Sequence, residues 1–189
     1  MGAGELESTA DLELLLRGVW VARHGETDYN AQGRFQGLLP VPLNDVGLAQ
    51  AAQLAERAAG LGFVELWSST LLRARQTTAI VAERTGLEPR EDERLVETDT
   101  GDWTDRWFSD VEAEDPAGMA AFRAADPHFA FPGGESFAHQ TARMLAALSE
   151  VARGPKPVLV VTHGMGIRLL VAALGRGNER VDNAALLAL

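Results

Sequence analysis

Three observations predict an α/β fold, a three-layer α/β/α sandwich with a mostly parallel central sheet. Short strand-like runs at 19–22, 63–67 and 158–161 each stop abruptly at polar or glycine residues. Segments with helical apolar spacing lie between and after them, which is the alternation of a layered, largely parallel sheet. The 189 residues contain no internal repeat and no low-complexity linker, so the chain reads as one domain over 1–189. Within it, 1–17 forms an N-terminal extension and 91–132 an acidic, irregular, lid-like insertion.

Each element has its own signal. Ser8, Thr9 and Asp11 precede Leu12, Leu14, Leu15 and Leu16 and suit the cap of a short helix. Val19-Trp20-Val21-Ala22 reads as a buried strand opening into Arg23-His24-Gly25. Asn44 suits a helix cap, and Leu48, Ala51, Ala52, Ala55, Ala58 and Ala59 form the expected apolar stripe of the helix it starts, which stops at Gly60. The run at 63–67 ends at Ser68-Ser69-Thr70, and a helix over 71–85 closes at Gly86. Residues 87–90 form a weak strand, 131–134 a loop, and 135–152 a helix striped by Phe137, Met144, Leu145, Leu148 and Ala152. Val158-Leu159-Val160-Val161 is the most continuous apolar strand. It ends at Thr162-His163-Gly164 and leads into a helix with Ile167, Leu170, Val171 and Leu174 on one face; 181–189 suits a final strand.

Composition narrows the function. With no cysteine, disulfide scaffolds, zinc–thiolate sites and thiol nucleophiles are excluded. The net charge of −10 argues against nucleic acid, and no stretch of about 18 apolar residues suits a membrane. The acidic N-terminus lacks the basic start of a signal peptide, so a cytoplasmic location is expected. The charge is uneven. Residues 91–115 hold eleven acids and two bases, net −9, while the other 164 residues carry sixteen acids and fifteen bases, net −1. Such a run is ordinarily a solvated face; here it is also expected to discourage polyanionic substrates. The single lysine, Lys156, lies between two prolines and cannot serve a nucleotide-binding P-loop.

Ligand sites in open α/β sheets form outside the carboxyl ends of the strands. Arg23 and His24 follow the first strand, Ser69 and Arg73 the second, and His163 the last strong one. Two imidazoles with two guanidiniums make an anion site rather than a metal site, because fixed positive charge repels a cation, and arginine fits phosphate bidentately. Histidine can also be a nucleophile. Arg73 in the first turn of a helix opposes the helix dipole, which points to an anionic partner. Arg34 reads as a solvated loop residue, with substrate contact as the alternative; Arg75 and Arg84 read as solvated, and His128 and His139 as surface residues. Trp103, Trp107 and Phe108 suit lid or core packing.

These residues carry a resemblance to the histidine phosphatase superfamily, the phosphoglycerate-mutase-like proteins. Arg23-His24-Gly25-Glu26-Thr27 with Asn30 matches its R-H-G-E-T-x-x-N signature. Ser69 to Ala74 with Thr77 is similar to S-x-L-x-R-A-x-x-T, and Leu95, Glu97, Gly101 and Trp103 to L-x-E…G-x-W. Leu43, Asn44, Gly47, Gln50 and Ala51 resemble the family's helix entry after the first signature, and Pro132-Gly133-Gly134-Glu135-Ser136 and His163-Gly164 complete the series, six motifs in order over about 19–183. The resemblance implies that His24 becomes a phosphohistidine and that Arg23, Arg73 and His163 bind the phosphoryl group with Asn30. It implies that Glu97 passes protons to the leaving group and from water. Gly164 after His163 fits the first branch of the superfamily, since the other branch carries His-Asp there. Thr104-Asp105 depart from the usual Glu-Gly after the tryptophan, and Thr78 from the usual alanine; both leave the substrate open.

The activity implied is metal- and cofactor-independent hydrolysis of a small phosphorylated metabolite, with a phosphoglycerate mutase as the alternative. A homodimer is left open. Two other classes compete. Gly134-Glu135-Ser136-Phe137-Ala138 approximates a serine-hydrolase elbow, but Pro132 breaks the strand that such an elbow needs. A non-catalytic phosphate binder would need a damaged pocket, and none of the pocket motifs is lost.

Overall fold

The computed structural model describes residues 9–189. The proposed cap at Ser8 lies outside them. In chain order the elements are α1 (Thr9–Leu16), β1 (Val19–Arg23), α2 (Asp28–Gln32), α3 (Asp45–Ala59), β2 (Glu65–Ser69), α4 (Leu72–Thr85) and β3 (Pro89–Asp92). Then come α5 (Phe108–Glu114), α6 (Pro116–Ala124), α7 (Phe137–Val151), β4 (Val158–Thr162), α8 (Gly164–Ala173) and β5 (Leu186–Ala188). The sheet order is β3-β2-β4-β1-β5. All pairings are parallel except β1 with β5.

The side-chain alternation of β4 builds the layers. Val158 and Val160 face one core with Leu12 and Leu16 of α1, Met144 and Leu148 of α7, and Ile167 and Leu170 of α8. Leu159 and Val161 face the opposite core with Leu54, Ala55 and Ala58 of α3 and Ala74 and Val81 of α4. Every residue of β4 is buried, as a central parallel strand covered on both faces requires. Among the described residues, no helix is long and apolar enough to cross a membrane.

Several elements differ from expectation, each for a packing reason. The buried stripe of α3 is Gly47, Ala51, Leu54, Ala55 and Ala58, while Leu48 and Ala52 face solvent. Ser136 accepts a hydrogen bond from His139 N, so α7 starts after it rather than at Glu135. The edge strand β3 is displaced to Pro89–Asp92 and exposed. The last strand is cut to Leu186–Ala188 and runs antiparallel. The insertion is not irregular. It contains two single 3₁₀ turns, Glu93–Leu95 and Gly101–Trp103, and the helices α5 and α6. Phe35, Trp103, Val111, Met119, Phe129, Phe131 and Phe137 give it a separate aromatic core.

Candidate active site

The site grows from the carboxyl ends of neighbouring strands. Arg23 of β1 is in register with Thr162 of β4. The next residues, His24 and His163, therefore emerge side by side, with ring centroids 5.1 Å apart. The His24 amide still donates to Thr162 O at 3.0 Å, so the ladder holds the backbone up to the reactive residue. Ser69 arrives from the end of β2, on the other side of β4. Gly25 is demanded by close approach: a Cβ there would lie 2.3 Å from Gly47 O at the start of α3.

His24 is 1% exposed. Its Nδ1 lies 2.6 Å from Gly25 O. A carbonyl only accepts, so the proton sits on Nδ1 and the lone pair on Nε2. That lone pair accepts from Arg73 Nε at 3.2 Å. Burial, then the charges of Arg73 and Arg23, hold the imidazole well below its usual 6.5, neutral at pH 7. Arg73 is fully buried. It spends its two terminal nitrogens on Leu39 O at 3.0 Å and Gly37 O at 2.9 Å. Burial pushes it down to about 10, with the Glu97 charge partly offsetting the shift, so it stays cationic.

Two more donors complete an anion site. His163 Nε2 lies 2.7 Å from Ser69 Oγ. Ser69 Oγ accepts from the Leu71 amide, so its hydroxyl proton is free to go to His163 Nε2. With the hydroxyl as donor, the ring proton lies on Nδ1. Arg23 Nη1 donates to Val181 O at 2.6 Å. Among the described residues, His163 Nδ1 and Arg23 Nε are the buried side-chain polar atoms without a partner. Burial lowers the His163 pKa strongly and that of Arg23 to a lesser degree. The glycine after His163 has a physical reason as well, since a Cβ at Gly164 would come within 2.9 Å of Arg23 Nε.

Glu97 reaches the cleft from the loop after the first 3₁₀ turn. Its Oε1 accepts from the Thr98 amide at 3.0 Å and from Gln140 Nε2 at 3.3 Å. The buried Thr98 hydroxyl donates to the other end of the Gln140 amide. Behind this loop Arg143 donates to the carbonyls of Arg94, Val96 and Glu97 at 2.7, 2.8 and 3.0 Å. It also pairs bidentately with Glu135 at 2.7 and 2.8 Å. Gln140 and Arg143 had no sequence signal of their own beyond their positions on α7. Asn30 also lines the cleft. Its Oδ1 accepts from the Thr27 amide and from Asn183 Nδ2, both at 3.2 Å, which leaves its amide donor for a ligand.

His24, Arg23, Arg73, Glu97 and Asn30 line one cleft of about 540 Å³, with His163 packed against the His24 ring. Of the eleven acids in 91–115, Glu97 lines it, and Asp105 pairs with the lining residue Arg34. Glu97 is the only carboxylate among the lining residues, against six arginines. Arg34 is not solvated: it lines the cleft, pairs with Asp105, and stacks 4.5 Å from the Tyr29 ring centroid. Arg75 and Arg84 are in exposed pairs with Glu91 and Glu56. Ser136 serves as a helix cap, which removes it from nucleophile chemistry.

Comparison with known proteins agrees with this geometry. The family model of the histidine phosphatase superfamily (branch 1) matches residues 19–188. The "Probable phosphoglycerate mutase GpmB" of Klebsiella pneumoniae is 36% identical over 159 residues, covering 82% of this chain and 74% of that protein. A mycobacterial glucosyl-3-phosphoglycerate phosphatase, solved with VO3, superposes with a TM-score of 0.84 at 35% identity and covers 90% and 89% of the two chains. The alpha-ribazole phosphatase of Shigella flexneri gives a TM-score of 0.75 at 30% identity, covering 89% and 87%. The paired histidines at the ends of β1 and β4, the buried arginines beside them and the match over 19–188 place this chain in branch 1 of the histidine phosphatase superfamily.

Proposed function

We propose that the protein hydrolyses a small phosphomonoester without a metal, through a phosphohistidine on His24. The observation that carries this reading is the neutral Nε2 lone pair of His24 beside Arg73, next to two buried nitrogens, Arg23 Nε and His163 Nδ1, that have no protein partner. An incoming phosphoryl group supplies the acceptors they lack. His24 Nε2 attacks phosphorus and the ester P–O bond breaks. Glu97, protonated at that stage, gives its proton to the leaving oxygen. The resulting Glu97 carboxylate then takes a proton from water, which attacks phosphorus and breaks the N–P bond. His24 returns neutral and inorganic phosphate leaves. The arginines hold the charge that spreads over the phosphoryl oxygens.

The mutase reading is favoured by the name of the curated relatives. Against it, only 28 residues separate Trp103 from Pro132, a short insertion for retaining an intermediate and returning the phosphoryl group. p-Nitrophenyl phosphate is expected to be hydrolysed in the presence of EDTA and inhibited by vanadate. His24→Ala should lower the rate by more than about a thousandfold, since removing a nucleophile removes the covalent route. Undiminished activity in His24→Ala would remove the nucleophile assignment. Faster interconversion of 2- and 3-phosphoglycerate than release of phosphate from either would select the mutase.

A further inference from the structure

The cleft that holds His24 also has lining of a different chemistry. Phe108 and Phe122, from α5 and α6, form part of its wall with Met165 of α8. Four further arginines line the same cleft: Arg34, Arg123, Arg168 and Arg180. Two are already neutralised, Arg34 by Asp105 and Arg123 by Glu112 at 2.6 Å. The other two are not. Arg168 donates to Asn178 O and Oδ1 and, at 2.8 Å, to Arg123 O, all neutral oxygens. Among the described residues, no carboxylate lies within ion-pair distance of Arg168 or Arg180. Burial lowers the pKa of Arg168, so its charge is partly withdrawn from water without compensation. In a chain of net charge −10, two uncompensated guanidiniums beside an apolar wall mark a ligand site.

We infer that the leaving group of the substrate carries a second anionic group, a carboxylate or a phosphate, which Arg168 and Arg180 bind while its apolar face lies on Phe108, Phe122 and Met165. The inference rests on the phosphomonoesterase reading of the His24 end. Guanidinium pairs carboxylate and phosphate alike through charge-assisted hydrogen bonds, so the test must separate those two sources.

The probes are phenyl phosphate, 3-carboxyphenyl phosphate and 1,3-phenylene bisphosphate, which share a ring and differ in the second group. Glycerol phosphate and 3-phosphoglycerate form the matching pair without a ring. For the whole chain, kcat/KM is expected to be at least about tenfold higher for one of the two anionic aryl esters than for phenyl phosphate, the scale of one charge-assisted contact. Whichever of them is favoured names the second group. If the carboxylate is favoured, 3-phosphoglycerate should likewise exceed glycerol phosphate. Arg180→Ala and Arg168→Gln should each collapse the anionic-to-neutral ratio toward one, while Arg75→Ala, whose ion pair lies outside the cleft, keeps it. Equal kcat/KM for the neutral and both anionic esters overturns the inference, as does a ratio that survives both cleft variants. Hydrolysis of phenyl phosphate that depends on His24 shows that the phosphomonoesterase reading stands whatever the ratio. No phosphate release from any probe overturns that reading, and the inference with it.

Discussion

In the proposed reaction His24 and Glu97 divide the chemistry between them, and a single substitution can separate their roles. Attack on phosphorus needs the Nε2 lone pair, which the Gly25 carbonyl secures by holding the proton on Nδ1. Departure of the ester oxygen needs a proton, and among the described residues Glu97 is the only acid lining the cleft. Glu97→Gln keeps the size and the acceptor oxygen but cannot give that proton. Hydrolysis of an alkyl phosphate should fall by about a hundredfold or more, the usual weight of general acid catalysis, while p-nitrophenyl phosphate, whose product leaves as a stable anion, should lose far less. Steady-state rates on a series of esters with different leaving groups measure this, and equal slowing across the series argues against the proton-donor role. His24, Arg23 and His163 were legible in the sequence because each sits where an apolar strand ends, and such ends converge. Glu97 was legible only through the family motif, being one of eleven acids within 25 residues. Gln140 and Arg143 were not legible. A glutamine and an arginine on a helix are ordinary until the loop that folds onto them is known, and the loop meets them across more than forty residues of chain.

At the scale of elements, α7 connects the sheet to Glu97, the proposed proton donor. Its inner face packs Met144, Ala147 and Leu148 into the core under β1 and β4. Its first turns present Gln140 and Arg143 to the loop over 94–98. Arg143 and Glu135 have side chains only 15% and 9% exposed. Losing one partner of such a pair leaves a poorly solvated charge and three unpaired carbonyls. Arg143→Gln should therefore destabilise the protein by about 3 kcal/mol, read from urea unfolding. A purely structural role predicts only that loss. A positioning role also predicts, in the folded protein, a larger fall in kcat for alkyl than for p-nitrophenyl phosphate, in the direction of Glu97→Gln but smaller. Arg84→Ala, which breaks a solvent-exposed pair with Glu56, should leave the urea unfolding midpoint essentially unchanged. The strands and the long helices followed from periodicity, because burial on one or both faces sets that pattern. The insertion misled for a physical reason. Its helices α5 and α6 have only 7 and 9 residues. They are stabilised by aromatic packing that the sequence scatters from Phe35 to Phe137.

Across the whole molecule, charge is sorted by location rather than balanced. The cleft gathers six of the sixteen arginines around a single carboxylate, while the acids that give the chain its net charge lie elsewhere. Two histidines are buried among those cations and kept neutral, by burial first and then by Arg73. This placement has a thermodynamic consequence. With folded pKa values held well below the unfolded 6.5, the unfolded chain binds more protons than the folded one as pH falls past 6.5. Stability is then fully present above 6.5 and is lost on acidification. Each histidine can contribute a loss of at most about 1.4 kcal/mol between pH 7.5 and 5.5, so the pair accounts for up to about 2.7 kcal/mol. The carboxylates that pair with arginines act in a lower window, because Asp92, Glu56 and Glu150 start from 3.8, 4.5 and 4.5 and are lowered further by Arg94 and Arg84. Urea unfolding at pH 7.5, 6.5 and 5.5 should show the histidine component separately. In His24→Gln the fall over that range should shrink by about half, whatever its absolute stability, because one of two equivalent proton acceptors of the unfolded state has gone. An unchanged pH dependence in that variant would mean that His24 is not held neutral by its buried site. The same neutrality governs activity. The acid limb of kcat/KM should lie below pH 6.5, since the attacking lone pair survives to lower pH than in a solvent-exposed imidazole.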